Sequence, residues 1–195
     1  RKKLAEGSGA KVDSGSSPED IERHAQEHPL ENLDPTQRAF ADRVMRWAAE
    51  VVQVYQRVAL KGEWRLRVPQ LRTWLGGSAG SGKSTTLRTV VAHVRRLFHQ
   101  KGVPATVALT AYTGVAAFNV GFGAMTACSS FQVFPNADWK RELSGEGLRQ
   151  LEARWGSVVL LIVDEVSFIG RAFFARMHYR IQQAKRRFFS ESGLS

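Results

Sequence analysis

Residues 76–87, "GGSAGSGKSTTL", place four glycines within seven positions and then change abruptly to residues that favour a helix. The preceding run "LRTWL", residues 71–75, is short and β-prone. After the glycines, apolar residues recur at helical spacing over residues 85–100. The sequence therefore predicts a strand, a glycine-rich loop and a helix in that order.

The glycine-rich loop matches the pattern G-x-x-x-x-G-K-[ST] at Gly77, Gly82, Lys83 and Ser84, in the strand-to-helix setting that makes the pattern meaningful. Wrapping a phosphate tail with backbone N–H groups requires a close approach that a Cβ atom would obstruct. Lys83 is predicted to reach the β- and γ-phosphates, and the Ser84 hydroxyl to ligate Mg²⁺. A plain flexible glycine turn is the alternative. The predicted nucleotide-binding residues of the loop are Gly77, Ser78, Ala79, Gly80, Ser81, Gly82, Lys83, Ser84 and Thr85.

A second motif, "SVVLLIVDE", runs six apolar residues, 158–163, into two acids. Such a run is typical of a strand buried on both faces of a parallel sheet, and ligands of open α/β sheets bind at the carboxyl ends of the strands. Asp164 is therefore predicted to hold Mg²⁺, directly or through a water, and Glu165 to activate the attacking water as a general base. With Lys83, these acids are the predicted catalytic residues. The alternative is a solvated turn.

Other elements complete an alternating pattern. Asp34 can cap a long helix with apolar residues at helical spacing, and Gly62 can end it. Alternation of strands and helices predicts an α/β fold with a parallel sheet flanked by helices. The further predictions are a strand over 105–111, a helix or turn over 113–120, mainly loop over 121–147 and a helix over 171–188.

Composition and charge indicate a globular chain with a phosphate-rich partner. Of 195 residues 43% are hydrophobic and 24% charged, and no apolar run is long enough to span a membrane. Residues 1–20 are small, polar and aperiodic, and residues 1–30, with five basic and six acidic residues, are predicted to be a disordered or linker segment. The rest carries 23 Lys and Arg against 12 Asp and Glu, which favours nucleic acid, although ordinary solvated side chains are the alternative. The single cysteine, Cys128, excludes an internal disulfide and a thiolate zinc cage.

Four motifs, in this order, resemble the Pif-one-like DNA helicases of superfamily one, which are related to the RecD-type helicases. The resemblance covers residues 33–185, the N-terminal part of that family's motor. The motifs are "LDPTQRAF" (33–40), "GSAGSGKST" (77–85), "TAYTGVAAFNVG" (110–121) and "LLIVDEVSFIG" (160–170). Where the family usually has histidine after the third motif, this chain has Cys128.

The resemblance implies a P-loop NTPase of RecA-like fold, with residues 31–195 as the first RecA-like ATPase domain, incomplete at its C-terminus. It implies that Gln37 reads the adenine edge, and that Thr113, Gly114 and Asn119 contact DNA. The alternatives are an exposed helix residue for Gln37 and a helix cap and turn for the other three. Either Phe118 or Phe131 could stack on a base or pack in the core.

The implied function is an ATP-dependent DNA helicase that uses ATP and Mg²⁺. It would move 5'-to-3' on single-stranded DNA, or on DNA with a single-stranded tail, in repair, recombination or telomere maintenance. The expected location is intracellular, and in the nucleus or the mitochondrion if the organism is eukaryotic, with no membrane partner. A P-loop ATPase of another lineage, or an inactive ATP-binding fragment that lacks the second motor domain, remains an alternative.

The chain begins at Arg1 and the family's later motifs lie beyond Ser195, so we expect a truncated motor. In RecA-like domains a later strand inserts between the two strands that carry the nucleotide motifs. A gap or poor pairing is therefore expected between residues 71–75 and 158–163. Because a transition-state arginine from a second domain contributes roughly 10³- to 10⁵-fold in rate, this chain should bind ATP better than it hydrolyses it.

Overall fold

The fold is a parallel β-sheet with helices on both faces. The structure, a computed structural model, describes residues 17–61, 68–78, 80–134 and 142–191, with side chains at 61 and 186–191 left aside. The helices and strands are α1 (Pro18–Glu27), α2 (Pro35–Lys61), α3 (Lys83–Gln100), β1 (Thr106–Ala111), α4 (Gly114–Val120), β2 (Met125–Thr126), α5 (Ala127–Phe131), α6 (Gly145–Trp155), β3 (Val158–Asp164) and α7 (Arg171–Glu191). Short 3-10 turns occupy Leu30–Asn32 and Val166–Phe168.

The three strands lie in the order β2-β1-β3, and β1 is parallel to both neighbours. Ala111, the last residue of β1, is opposite Asp164, the last residue of β3. Both strands therefore end at the same edge of the sheet, which is where ligands bind in open α/β folds. This confirms the predicted α/β fold with a parallel sheet.

The core consists of two layers, one on each face of the sheet. Val107, Leu109 and Leu160 pack with buried residues of α2 and α3 on one face. Ala108 and Leu161 pack on the other face against α5, α6 and α7. This alternation follows from the two-residue period of a strand. Apolar packing on both faces explains why β3 has no polar residue before its terminal acid, although Leu160 is its one fully buried residue and the rest are half-buried.

The aromatic pair Phe131 and Trp155 anchors the second layer. Their ring centroids are 4.5 Å apart, and the indole Nε1 of Trp155 donates a hydrogen bond to the Ser130 carbonyl oxygen at 2.9 Å. Phe131 is 0% exposed. The sequence left open whether Phe131 stacks on a base or packs in the core. Its ring lies in the core, so the base-stacking prediction for Phe131 is wrong.

The helix predicted after Asp34 is confirmed. The Asp34 carboxylate accepts hydrogen bonds from the backbone N–H groups of Thr36 and Gln37, at 2.9 and 3.0 Å, as an N-cap does. The predicted end at Gly62 lies outside the described residues. The helices and strands predicted over 85–100, 105–111, 113–120, 158–163 and 171–188 are observed as α3, β1, α4, β3 and α7.

Residues 71–75, predicted as a strand, do not form one. A cavity of about 700 Å³ separates Leu71, Thr73 and Leu75 from β3. The expected gap beside β3 is thus present, and it explains the wrong strand prediction. A strand needs a hydrogen-bonding partner, so β-propensity alone does not produce one.

The prediction that residues 121–147 form mainly loop was wrong in part, since this region contains β2, α5 and the start of α6. Thr126 caps α5 by accepting a hydrogen bond from the Ser129 backbone N–H at 3.3 Å. Elements of two and five residues are too short to show a hydrophobic period, and neighbouring elements stabilise them instead.

The prediction of a disordered or linker segment over residues 1–30 was also wrong for the second half of that range. This half contains α1, which packs against α3. Ser17 and Asp20 form a reciprocal capping box at the start of α1. Glu22 pairs with Arg96 of α3 at 2.9 Å. Residues 1–16 lie outside the described residues, and the domain boundary after residue 30 stays a prediction.

The contact between α1 and α3 is built around histidines. The His24 ring lies 4.3 Å from the His28 ring and meets Phe122 edge-on at 4.7 Å, between ring centroids. Nε2 of His93 contacts the His28 carbonyl oxygen at 3.1 Å. Burial lowers the pKa of His24 below its usual 6.5, the positive charges of His28, Arg88 and His93 lower it further, and Glu27 opposes them.

We expect the packing of α1 to weaken as the pH falls below about 6.5. Because the folded state depresses the pKa of His24, the unfolded state binds this proton more readily, and stability is lost on acidification. Denaturant unfolding of wild type between pH 7.5 and 5.5 should show this loss, and His24→Gln should reduce it. The matched variant His99→Gln, at an exposed position of α3, should keep the wild-type pH dependence. Equal pH dependence in wild type and His24→Gln would contradict the expectation.

Candidate functional site

The glycine-rich loop leads into α3 and uses backbone conformations that favour glycine. Gly80 and Gly82 both have φ of 77°, in the left-handed region. A Cβ atom at Gly77 would lie 2.5 Å from the Ser81 hydroxyl oxygen, and one at Gly82 would lie 2.9 Å from Nε2 of Gln37. Both contacts are with the ends of side chains that can move, so the positive φ values, 152° at Gly77 and 77° at Gly80 and Gly82, are what favour glycine at these positions.

Lys83 is the first residue of α3, and its side chain folds back over the loop. Its ammonium group donates hydrogen bonds to the carbonyl oxygens of Gly77 at 2.8 Å and Ser78 at 2.6 Å. A positive charge therefore stands at the N-terminus of a helix, whose dipole also favours an anion. Thr85 is exposed on the first turn of α3, and Ala79 lies outside the described residues.

Ser84 and Asp164 connect the two motifs. The Ser84 hydroxyl donates a hydrogen bond to Oδ2 of Asp164 at 3.2 Å, although 80 positions separate the two residues. The other carboxylate oxygen of Asp164 accepts a hydrogen bond from the Glu165 backbone N–H at 2.9 Å. The carboxyl end of β3 thus faces the start of α3, and the two acids lie beside the glycine-rich loop.

Glu165 has a strained backbone. Its φ of 52° and ψ of 39° are left-handed, a conformation that costs a non-glycine residue about 1–2 kcal/mol. Such strain is concentrated at functional sites. The exposed side chain lines the 700 Å³ cavity together with Lys83, Ser84 and Asp164, so the predicted catalytic groups share one cavity.

Gln37 also contacts the loop. Its side-chain amide donates a hydrogen bond to the Ser81 carbonyl oxygen at 3.0 Å and links α2 to the glycine-rich loop. The structure therefore places Gln37 beside the candidate nucleotide site, rather than on a free helix surface. Its reading of adenine stays a prediction.

The three candidate DNA contacts lie on or beside α4. The Thr113 hydroxyl accepts a hydrogen bond from the Ala116 backbone N–H at 3.1 Å and caps the helix. Gly114 begins the helix, and Asn119 is exposed near its end. The hydroxyl of Thr113 thus has a structural role, while Asn119 is accessible from solvent. Phe118, on the same helix, is 85% exposed.

Two further aromatic residues were not singled out from the sequence. The rings of Tyr112 and Phe168 are stacked, with centroids 6.4 Å apart and an angle of 11° between their planes, and Phe168 is 62% exposed. Tyr112 directly follows β1 and Phe168 follows the acids of β3. Both residues could have been singled out from the sequence, because each is an aromatic residue that follows the carboxyl end of a strand, and ligands bind at that edge of the sheet.

A family model described as "AAA domain" matches residues 65–189, which is more than half of the chain and includes both nucleotide motifs. The chain belongs to the AAA domain family. The chain is 28% identical over 141 residues to "ATP-dependent DNA helicase PIF7" of Trypanosoma brucei brucei, with 65% of the chain aligned. It is 29% identical over 93 residues to "ATP-dependent DNA helicase RRM3" of Saccharomyces cerevisiae, and 34% over 96 residues to "ATP-dependent DNA helicase PIF1" of Candida albicans, with 48% of the chain aligned to each.

These relatives confirm the resemblance to Pif-one-like helicases that the four motifs indicated. The aligned part of this AAA domain spans 13% of PIF7, 12% of RRM3 and 10% of PIF1. No solved structure shows significant similarity to the chain.

Two other kinds of site, a metal centre and a membrane span, were looked for among the described residues. Among the described residues, no group of three or more His, Cys, Asp or Glu side chains could hold a metal ion. None of the described helices is both long and apolar enough to cross a membrane. The cavity beside the glycine-rich loop is therefore the candidate functional site.

Proposed function

We propose that this AAA domain binds and hydrolyses ATP as part of an ATP-driven DNA helicase. The observation that carries the proposal is the hydrogen bond from Ser84 to Asp164, which lies in one cavity with Lys83 and Glu165. Nucleotide binding alone requires the loop and the lysine, whereas the acids at the end of β3 supply the groups needed for hydrolysis.

Mg²⁺ fits the residues present. The Ser84 hydroxyl and the Asp164 carboxylate are hard oxygen donors whose nearest oxygens lie 3.2 Å apart, and Mg²⁺ is typically held by one or two such groups together with substrate phosphates. When bound, the ion would offset phosphate charge. Ser84 and Asp164 are the residues that would hold it.

Lys83, Glu165 and Gln37 have separate roles in the proposed reaction. Lys83 exchanges its hydrogen bonds to the Gly77 and Ser78 carbonyls for the phosphates of ATP. Glu165 accepts a proton from the attacking water as that oxygen bonds to the γ-phosphorus, and ADP leaves with the pair of electrons from the broken P–O bond. Gln37 orients the base through its amide, which both donates and accepts hydrogen bonds.

DNA is the proposed partner, and single strands are the preferred form. The basic charge outside residues 1–30 favours phosphate, and the exposed rings of Phe118 and Phe168 are able to stack on unpaired bases. The helicase names of the relatives support the same partner. By the family resemblance, the complete motor would move 5'-to-3' in repair, recombination or telomere maintenance. Its location would be intracellular, and in the nucleus or the mitochondrion if the organism is eukaryotic.

The decisive experiment measures DNA binding and DNA-dependent hydrolysis. Wild type should bind a fluorescent oligo-dT strand and hydrolyse ATP faster when the strand is present. Phe118→Ala should weaken binding by roughly 5- to 150-fold, since one base stacked on an aromatic ring contributes about 1–3 kcal/mol. Fluorescence anisotropy gives the affinity, and phosphate release gives the rate.

Leu60→Ala is the matched control, because Leu60 is also 85% exposed but lies in α2. It should bind oligo-dT as wild type does. If single strands neither bind nor stimulate hydrolysis, the helicase assignment is wrong and a P-loop ATPase of another lineage replaces it. If ATP also fails to bind, the chain is an inactive fragment.

A further inference from the structure

A second cleft, here called the arginine cleft, lies between α2 and the segment that precedes the glycine-rich loop. It encloses about 520 Å³, and its lining includes Arg43 and Arg46 of α2 and Arg72 of the facing segment. Trp47 forms the floor: it is 5% exposed, and its Nε1 donates a hydrogen bond to the Pro69 carbonyl oxygen at 2.7 Å. The two walls are therefore fixed to each other.

The arginine cleft carries uncompensated positive charge. None of its three arginines forms an ion pair with any of the described residues. The polar contact of Arg72 is a long one, 3.4 Å, to the amide oxygen of Gln70. Glu50 also lines the cleft, but it makes no ion pair with these arginines. Three positive charges thus face one negative charge.

Several other arginines of the described chain are compensated. Arg38, earlier on α2, bonds Asp42 at 2.8 Å, and Arg149 bonds Glu146 at 2.9 Å. Three guanidinium groups without an ion pair are thus gathered in this one cleft, although exposed Arg57 and Arg171 also form no ion pair with a described residue. A guanidinium presents a planar fork of N–H donors that matches phosphate oxygens, so an unpaired group of them is suited to phosphate.

The arrangement fits an extended partner better than a small one. Exposed Arg57 lies on the same face of α2 as Arg43 and Arg46, and the 14 positions from Arg43 to Arg57 extend roughly 21 Å at about 1.5 Å per residue. Glu50 lies on the same face between Arg46 and Arg57, so the row holds three positive charges and one negative charge. Its net positive charge over this length suits a chain of phosphates. Among the described residues that line the cleft, Trp47 is the aromatic one and it is buried, so this lining offers no exposed ring on which an unpaired base could stack.

We propose that the arginine cleft is a second nucleic-acid site, which binds the phosphate backbone of duplex DNA without reading its sequence. This inference rests on the proposed DNA partner and adds a surface for the paired part of the substrate. Duplex DNA exposes its phosphates and keeps its bases stacked inside. A cleft that has guanidinium groups but no exposed ring among its described lining residues is therefore better suited to a duplex. The cleft shares only Leu71 with the lining of the nucleotide cavity, so the two sites bind different ligands.

The test uses a triple variant of the chain, Arg43→Gln, Arg46→Gln and Arg72→Gln, and two fluorescent probes. One probe is a blunt duplex of roughly 20 base pairs, about two helical turns, and the other is an oligo-dT strand of equal length. The variant should bind the duplex at least about tenfold more weakly. Its log–log salt slope should become less negative by about 2–3, because each phosphate contact contributes about 0.9. Its affinities for oligo-dT and ATP should not change.

The matched control is Arg23→Gln, Arg38→Gln and Arg149→Gln, which removes the same charge from arginines that are paired with carboxylates. It should bind duplex DNA nearly as wild type does. Circular dichroism checks folding, and Arg→Lys at the three cleft positions, which keeps the charge, should restore most of the salt slope.

Three outcomes overturn the proposal. Unchanged duplex binding in the cleft variant shows that these arginines do not contact DNA. Equal losses in the cleft and control variants show a general effect of net charge. A loss confined to oligo-dT shows that the cleft holds single strands. In all three, wild-type binding of oligo-dT leaves the proposed helicase function standing, whereas failure of wild type to bind either probe ends both proposals.

Discussion

Glu165→Gln is expected to slow ATP hydrolysis by about 10²- to 10⁴-fold while leaving ATP affinity within about threefold of wild type. The amide has nearly the shape of the carboxylate but cannot accept a proton from water, and general-base catalysis contributes roughly this much. Glu165 lines the nucleotide cavity without bonding to Lys83 or Ser84 through its side chain. Phosphate contacts should therefore persist.

The measurement is single-turnover hydrolysis of labelled ATP with enzyme in excess and oligo-dT present, because the isolated domain is expected to be slow. Glu19→Gln is the matched control: it makes the same chemical change at an exposed position of α1 outside the cavity lining. The control should hydrolyse ATP as wild type does. A Glu165→Gln rate within threefold of wild type would remove Glu165 from the chemistry.

The sequence was sufficient to predict the residues around the cavity because each motif is tied to the end of an element. The glycine pattern fixes the start of α3, and a fully apolar strand that stops at Asp164 fixes the carboxyl edge of the sheet. Two such ends in a parallel sheet meet at one edge, so Ser84 and Asp164 come within hydrogen-bonding distance. The contact depends on backbone topology, which hydrophobic patterns determine well.

Features that depend on a partner elsewhere in the chain were not predictable in the same way. Residues 71–75 have strand propensity, but the space next to β3 is a cavity and no pairing forms. The polar helix α1 is stabilised by packing on α3, which its own sequence does not show. The local sequence does contain its capping residues, Ser17 and Asp20. Tyr112 and Phe168 each follow a strand, which the sequence shows, but their stacking joins residues 56 positions apart and could not be predicted from either segment alone.

Lys83→Ala is expected to weaken ATP binding by about 10- to 100-fold, because hydrogen bonds to charged groups contribute about 1.5–3 kcal/mol. The lysine is the charged group nearest the glycine-rich loop, where it bonds Gly77 and Ser78. Titration calorimetry with MgATP measures the affinity directly. Lys101→Ala is the matched control, since Lys101 is exposed just beyond the other end of α3.

Thermal unfolding gives an independent reading of the same loss. A ligand at 100 times its dissociation constant stabilises the native state by about 2.7 kcal/mol. At the same ATP concentration, a variant that binds 100-fold more weakly gains only about 0.4 kcal/mol by the same relation. Wild type and Lys101→Ala should therefore show the full rise in melting temperature, and Lys83→Ala almost none. An equal rise in all three proteins would mean that the nucleotide is bound elsewhere than over the loop, and that the hydrogen bond between Ser84 and Asp164 has only a structural role.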